Sequence, residues 1–161
     1  MTTQIKKEHF LNLSFPMSPL NIKLVGEDIY VFDEWRSNYY VLTPEEWVRQ
    51  HTLKYLVGEL NYPSNRIALE QTLKYKGMHK RFDAVVYSKS LQSVMLIEFK
   101  KATSRLNNKS QMQLASYKEF INTKAYLLTN GLEWRCWIES DNSFTLHHNP
   151  PNYNDLLRLY E

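Results

Sequence analysis

The sequence predicts a single α/β domain with a central mixed sheet, and three observations predict it. A capped helical segment follows Leu42, three strand-like runs lie in succession between Ile67 and Phe99, and a second helical stretch separates these from another pair of strands. At 161 residues the chain has the size of one domain and can bury a core without disulfide or metal staples.

Residues 1–12 read as a loose lead-in. Ile22 to Val25 and Ile29 to Phe32, divided by Gly26-Glu27-Asp28, form a short hairpin, and Tyr39 to Leu42 add a third strand. Thr43 then serves as N-cap, Pro44 takes the first helical position and Glu46 follows three residues after the cap, so a helix runs to about Leu60 with Leu53, Leu56, Val57 and Leu60 on one face.

Asn61 to Asn65 break that helix. Beyond them Ile67 to Tyr75, Phe82 to Tyr87 and Val94 to Phe99 read as strands, two of them so continuously apolar that both faces must be buried. Lys109 to Phe120 is helical in pattern. Ala125 to Leu128 and Glu133 to Ile138 flank Thr129-Asn130-Gly131, a hairpin signal; His147 to Asn152 form a polar loop, and Tyr153 to Tyr160 a short closing helix.

Composition narrows the function classes. Cys136 is the single cysteine, which excludes an intrachain disulfide and a thiolate zinc site and fits a reducing, cytoplasmic setting. The N-terminal segment lacks an apolar stretch of signal length, and no run approaches the ~20 apolar residues of a membrane span. A net charge of +3 permits contact with a polyanion without identifying one.

The chemistry concentrates in Arg81-Phe82-Asp83-Ala84-Val85-Val86-Tyr87 and Leu96-Ile97-Glu98-Phe99-Lys100, where two carboxylates and a lysine interrupt apolar strands. If the turn between them centres between Ser90 and Leu91, Asp83 stands directly opposite Glu98, and alternation puts Lys100 on the same face as Glu98. Paired carboxylates repel unless a cation lies between them, and hard oxygen ligands with open positions suit Mg²⁺ or Mn²⁺, ions that activate water against a phosphodiester. Lys100 would hold or polarise that water. The same three residues also suit a plain cross-strand salt bridge at a sheet edge.

Further segments surround the triplet in order. Thr43-Pro44-Glu45-Glu46-Trp47-Val48-Arg49-Gln50 opens the first helix, Lys80-Arg81-Phe82-Asp83 opens the second core strand, Leu96 to Lys101 carries Glu-x-Lys, Gln113 to Tyr117 reads Gln-Leu-Ala-Ser-Tyr, and Thr129-Asn130-Gly131 follows. From roughly Leu42 to Trp137 this pattern resembles the N-terminal nuclease domain of type I restriction enzyme R subunits, a branch of the PD-(D/E)xK nuclease superfamily. Phe82 stands where the motif name has proline, and Phe99 where these domains often have cysteine.

The resemblance implies a restriction-endonuclease-like fold spanning residues 13–161, with its core at about 42–138, and Mg²⁺-dependent endonuclease action on DNA, with Mn²⁺ as substitute, in restriction, defence or repair. It implies Asp83, Glu98 and Lys100 as catalytic residues, joined by Gln113 and Tyr117 one helical turn apart. Glu46 would complete a metal site with Asp83 and Glu98, although Thr43-x-x-Glu46 is equally a capping box. Arg49 and Gln50 share the helix face of Glu46, and with Lys101, Arg105 and Lys109 they are candidate DNA contacts. R subunits continue into an ATP-driven motor, so here a motor or another defence-complex subunit would be a separate partner, and cleaving both strands would need a homodimer. The alternative is a catalytically silent nuclease-like module that binds nucleic acid or protein, or an accessory subunit. Trp134-Arg135-Cys136-Trp137 is expected to pack a core.

Overall fold

The computed structural model describes residues 10–161. Strands β1 (Ile22–Val25), β2 (Asp28–Asp33) and β3 (Asn38–Val41) form a three-stranded antiparallel sheet, as the Gly26 turn foreshadows. Helix α1 (Pro44–Gly58) follows, with the Thr43 side chain accepting from the Glu46 N–H and Pro44 in its first turn; it ends two residues before Leu60. The remaining strands build one six-stranded mixed sheet in sequence order: β4 (Ile67–Tyr75), β5 (Met78–Tyr87), β6 (Ser93–Phe99), β7 (Ala125–Thr129), β8 (Trp134–Ser140) and β9 (Ser143–His147). Within it β6 and β7 run parallel and every other neighbour antiparallel, because the β6 to β7 connection crosses over through helix α2 (Gln111–Lys118). Helix α3 (Tyr153–Arg158) closes the chain.

The sheet separates two cores. On one side Leu53 and Leu56 of α1 and Leu156 of α3 pack against Ala84, Val86, Ile97 and Leu127. On the other, Leu114 of α2 packs against Val85, Leu96, Tyr126, Leu128 and Trp137. Each fully buried leucine contributes about 1.5–3 kcal/mol of transfer free energy. The near-continuous apolar runs of β5 and β6 follow from this two-sided burial. The aromatic pair of β8 also divides as a pleated strand requires, Trp134 and Cys136 to one core and Trp137 to the other.

Two hairpins go beyond the sequence reading. Lys76 and Gly77, at φ 45° and 80°, make a tight turn that lets β5 begin at Met78 rather than Phe82. Asp141 and Asn142, at φ 50° and 61°, do the same for β9, a strand the sequence reading does not contain. Helix α2 is shorter than expected at both ends, since Ser110 caps it in a reciprocal pair with Gln113. Phe10 and Leu11, in the expected loose lead-in, are packed: the Phe10 ring lies 5.2 Å from that of Trp47, whose indole donates to the Leu11 carbonyl. The rest of that lead-in, residues 1–9, lies outside the described residues. Among the described residues no helix is long and apolar enough to cross a membrane.

Candidate active site

The β5/β6 register sets the site. Ala84 pairs with Ile97, Val85 with Leu96 and Val86 with Met95, so one further step places Asp83 opposite Glu98. The turn itself is tighter than expected, with the Ser88 N–H bonded to Gln92, and an irregularity after Val86 offsets the difference. One Asp83 oxygen accepts the Phe99 N–H at 2.8 Å, which ties the carboxylate to the C-terminal end of β6. Asp83, Glu98 and Lys100 all line a cavity of about 370 Å³ on the α2 side of the sheet.

Glu98 is gripped by two lysines. Lys100 Nζ lies 3.0 Å from Oε1 and Lys109 Nζ 3.2 Å from Oε2. Burial alone would raise the Glu98 pKa, but the bonds and charges of Lys100 and Lys109 outweigh it and hold the carboxyl below its ordinary value. Burial likewise works against the Lys100 ammonium and is overcome by Glu98, with Asp83 and Glu45 adding, so Lys100 is held above the ordinary lysine value. The sequence reading places Lys109 among DNA contacts; the structure brings it into the carboxylate pair instead.

The first helix supplies a different acid from the expected one. Glu45 lines the cavity, where burial and the negative charge of Asp83 raise its pKa against the pull of Arg49 and Lys100. Glu46 turns away from the cavity into a buried network. Its carboxylate accepts from Arg36, from Arg49 at 3.1 Å and from Gln50 at 2.9 Å. In the same network Arg36 and Gln50 also bind Asp33, and Glu70 bonds Arg81. The expected metal set of Asp83, Glu98 and Glu46 is therefore not assembled, because Glu46 is committed to two arginines. Arg49 and Gln50, expected as DNA contacts, are 6% and 0% exposed and are bonded into the same network. Arg49 instead spans the network and the site, 3.9 Å from Asp83 Oδ1.

Helix α2 brings Tyr117 and Leu114 to the cavity, but Gln113 faces solvent with its amide oxygen taken by the Ser110 N–H. Gln113 thereby completes a capping box with Ser110, a role that their spacing discloses. Lys101 and Arg105 are exposed on the loop after Lys100, outside the cavity lining. Lys80 and Arg81, absent from the expected site, do line it; Lys80 Nζ sits 3.7 Å over the Tyr117 ring.

The cavity thus offers two apposed carboxylates, a third at its rim and four cations. Among the described residues no three Asp, Glu, His or Cys side chains converge closely enough to hold a metal ion by themselves. Two carboxylates nevertheless fit Mg²⁺, which keeps several waters and is commonly held by one or two carboxylates together with substrate phosphate. Asp83 Oδ1, not engaged by the Phe99 N–H, and the oxygens of Glu98, now paired with Lys100 and Lys109, are the ones that would hold it.

Residues 44–148 match the family described as the type I restriction enzyme R protein N terminus. Among solved structures, a fragment assigned as the HsdR subunit of a type I restriction enzyme from Vibrio vulnificus YJ016 is similar, with a TM-score of 0.56 at 18% identity, covering 72% of this chain and 25% of that one. This chain spans about a quarter of that structure's length, and the likeness at such identity is one of fold. No curated protein matches the chain. The family match extends from the first turn of α1 past the end of β9 and encloses Asp83, Glu98 and Lys100, so the chain belongs to the family of type I restriction enzyme R protein N termini.

Proposed function

We propose that this chain is a metal-dependent nuclease of the PD-(D/E)xK type, with a restriction-endonuclease-like fold, hydrolysing DNA phosphodiester bonds in restriction, defence or repair. The observation that carries the reading is the register that sets Asp83 against Glu98 at one cavity, with Lys100 ion-paired beside them, in a member of this family. Asp83 and Glu98 would hold Mg²⁺ or Mn²⁺, with Glu45 rather than Glu46 at the rim. That ion supplies Lewis-acid neutralisation of charge at the scissile phosphate and a polarised water. Lys100 keeps its proton beside Glu98 and acts as a fixed cation that orients water and offsets charge building on the phosphate. Lys80, Arg81, Lys101 and Arg105 position the backbone, a role without sequence preference.

The reading extends to a cytoplasmic setting, to an ATP-driven motor or another defence-complex subunit as partner, and to a homodimer when both strands are cut. A second reading, a catalytically silent nucleic-acid-binding module, is favoured by one observation: both Glu98 oxygens already have ammonium partners. Calorimetric titration of Mn²⁺ into wild type and the Asp83→Ala/Glu98→Ala variant, followed by incubation with plasmid DNA, separates the two. Metal uptake and nicking by wild type alone are expected; no uptake by either protein would transfer the conclusion to the binding module.

A further inference from the structure

Lys109 and Lys100 grip the same carboxylate but are not equivalent. Lys100 is fixed by the main chain, its N–H bonded to the Thr129 carbonyl at 2.9 Å as an extension of the β6/β7 ladder. Lys109 lies in the irregular segment between β6 and α2, and its flexible stem reaches back into the cavity with 19% of the side chain exposed. Beside it stands Tyr117, the ring centroid 5.8 Å from Nζ. Around it the cavity lining also holds Glu45, Asp83, Lys80 and Lys100. A pocket with three carboxylates needs cations to offset their repulsion, and Lys109 is the one that a change in a loop can withdraw.

We propose that Lys109 is a resident counter-cation: its ammonium neutralises Glu98 when no divalent ion is bound, competes with that ion for Glu98 Oε2, and on displacement becomes available to a substrate phosphate. The inference rests on the metal-binding reading of the cavity and adds a residue that sets how tightly the metal is held. Competition of this kind has a definite sign. Removing Lys109 strengthens metal binding, whereas removing a ligand weakens it and removing a lysine distant from the cavity leaves it unchanged.

The test is calorimetric titration of Mg²⁺ into the full chain as wild type, Lys109→Gln and Lys89→Gln, the last an exposed lysine of the β5/β6 turn outside the cavity lining. Lys109→Gln is expected to bind Mg²⁺ roughly fivefold more tightly, the upper range for a partly exposed ion pair, and Lys89→Gln to stay within about twofold of wild type. A second readout needs no variant: in lysine side-chain NMR of wild type, the Lys109 ammonium resonance is expected to shift or broaden as Mg²⁺ saturates the site. Unchanged affinity in Lys109→Gln, an equal gain in Lys89→Gln, or a Lys109 resonance indifferent to Mg²⁺ overturns the proposal while leaving the nuclease reading in place. Absence of Mg²⁺ uptake by wild type and both variants overturns that reading, and the proposal with it.

Discussion

Replacing Glu46 by glutamine separates a structural acid from a metal ligand. The Glu46 side chain is 8% exposed and faces the Arg36 and Arg49 guanidinium groups, themselves 11% and 8% exposed. After the change Arg36 keeps Asp33, at 2.7 Å, whereas the remaining carboxylates near Arg49, those of Glu45, Glu70 and Asp83, lie 3.8, 3.8 and 3.9 Å away. Arg49 therefore loses its one short carboxylate bond among the described residues. Breaking a buried ion pair from one side costs about 3–5 kcal/mol, and the amide oxygen that glutamine retains lowers this to about 2–3 kcal/mol. For a domain of this length that corresponds to a fall in Tm of about 4–12 °C. Urea unfolding should show a lower midpoint at an unchanged m value, while Mn²⁺ titration should give wild-type affinity, because Glu46 lies outside the cavity lining. Stability within about 1 kcal/mol of wild type together with lost Mn²⁺ binding would refute the reasoning and restore Glu46 as a ligand.

Two further perturbations probe the scaffold. Gly131 sits at φ +81° with its carbonyl accepting from the Ser14 backbone, and an added Cβ would meet Leu13 Cδ2 at 2.7 Å; Gly131→Ala should cost about 1–2 kcal/mol for the left-handed backbone alone, read as a lower urea midpoint, and an unchanged midpoint would contradict the turn geometry. His51 is 3% exposed against Trp47, with neither ring nitrogen bonded among the described residues, and burial, with the charge of Lys54 adding, pulls its pKa from 6.5 to about 4. Between those values the unfolded chain binds the proton that the folded chain refuses, so the His51 contribution to stability is complete above about pH 6.5 and lost as pH falls toward 4. Urea midpoints across that window should fall less steeply in His51→Leu than in wild type, and identical slopes would remove His51 as the cause.

Much of this protein is written locally. The Thr43-Pro44 start of α1, the Asn130-Gly131 turn and the apolar runs of β5 and β6 are each set by a few neighbouring residues, and each forms where the sequence places it. The pairing of Asp83 with Glu98 was legible for the same reason: a short hairpin fixes its register through its own turn. The Lys76-Gly77 and Asp141-Asn142 turns are local too, yet such pairs signal a hairpin less strongly than Asn-Gly.

The tertiary structure decided the rest. Glu45 and Glu46 are adjacent on a helix that turns about 100° per residue, so they point in different directions, and only the docking angle of α1 on the sheet selects which one reaches the cavity. The network of Asp33, Arg36, Glu46, Arg49, Gln50 and Glu70 draws on β2, the β2/β3 turn, α1 and β4, and no periodicity within any one of them announces it. Lys109 meets Glu98 only because α2 folds its preceding loop back over β6. The sequence by itself determined which residue types face each other across a hairpin. Which charges are spent on holding segments together, and which stay free for chemistry, depends on contacts between distant segments and was settled only when the chain packed.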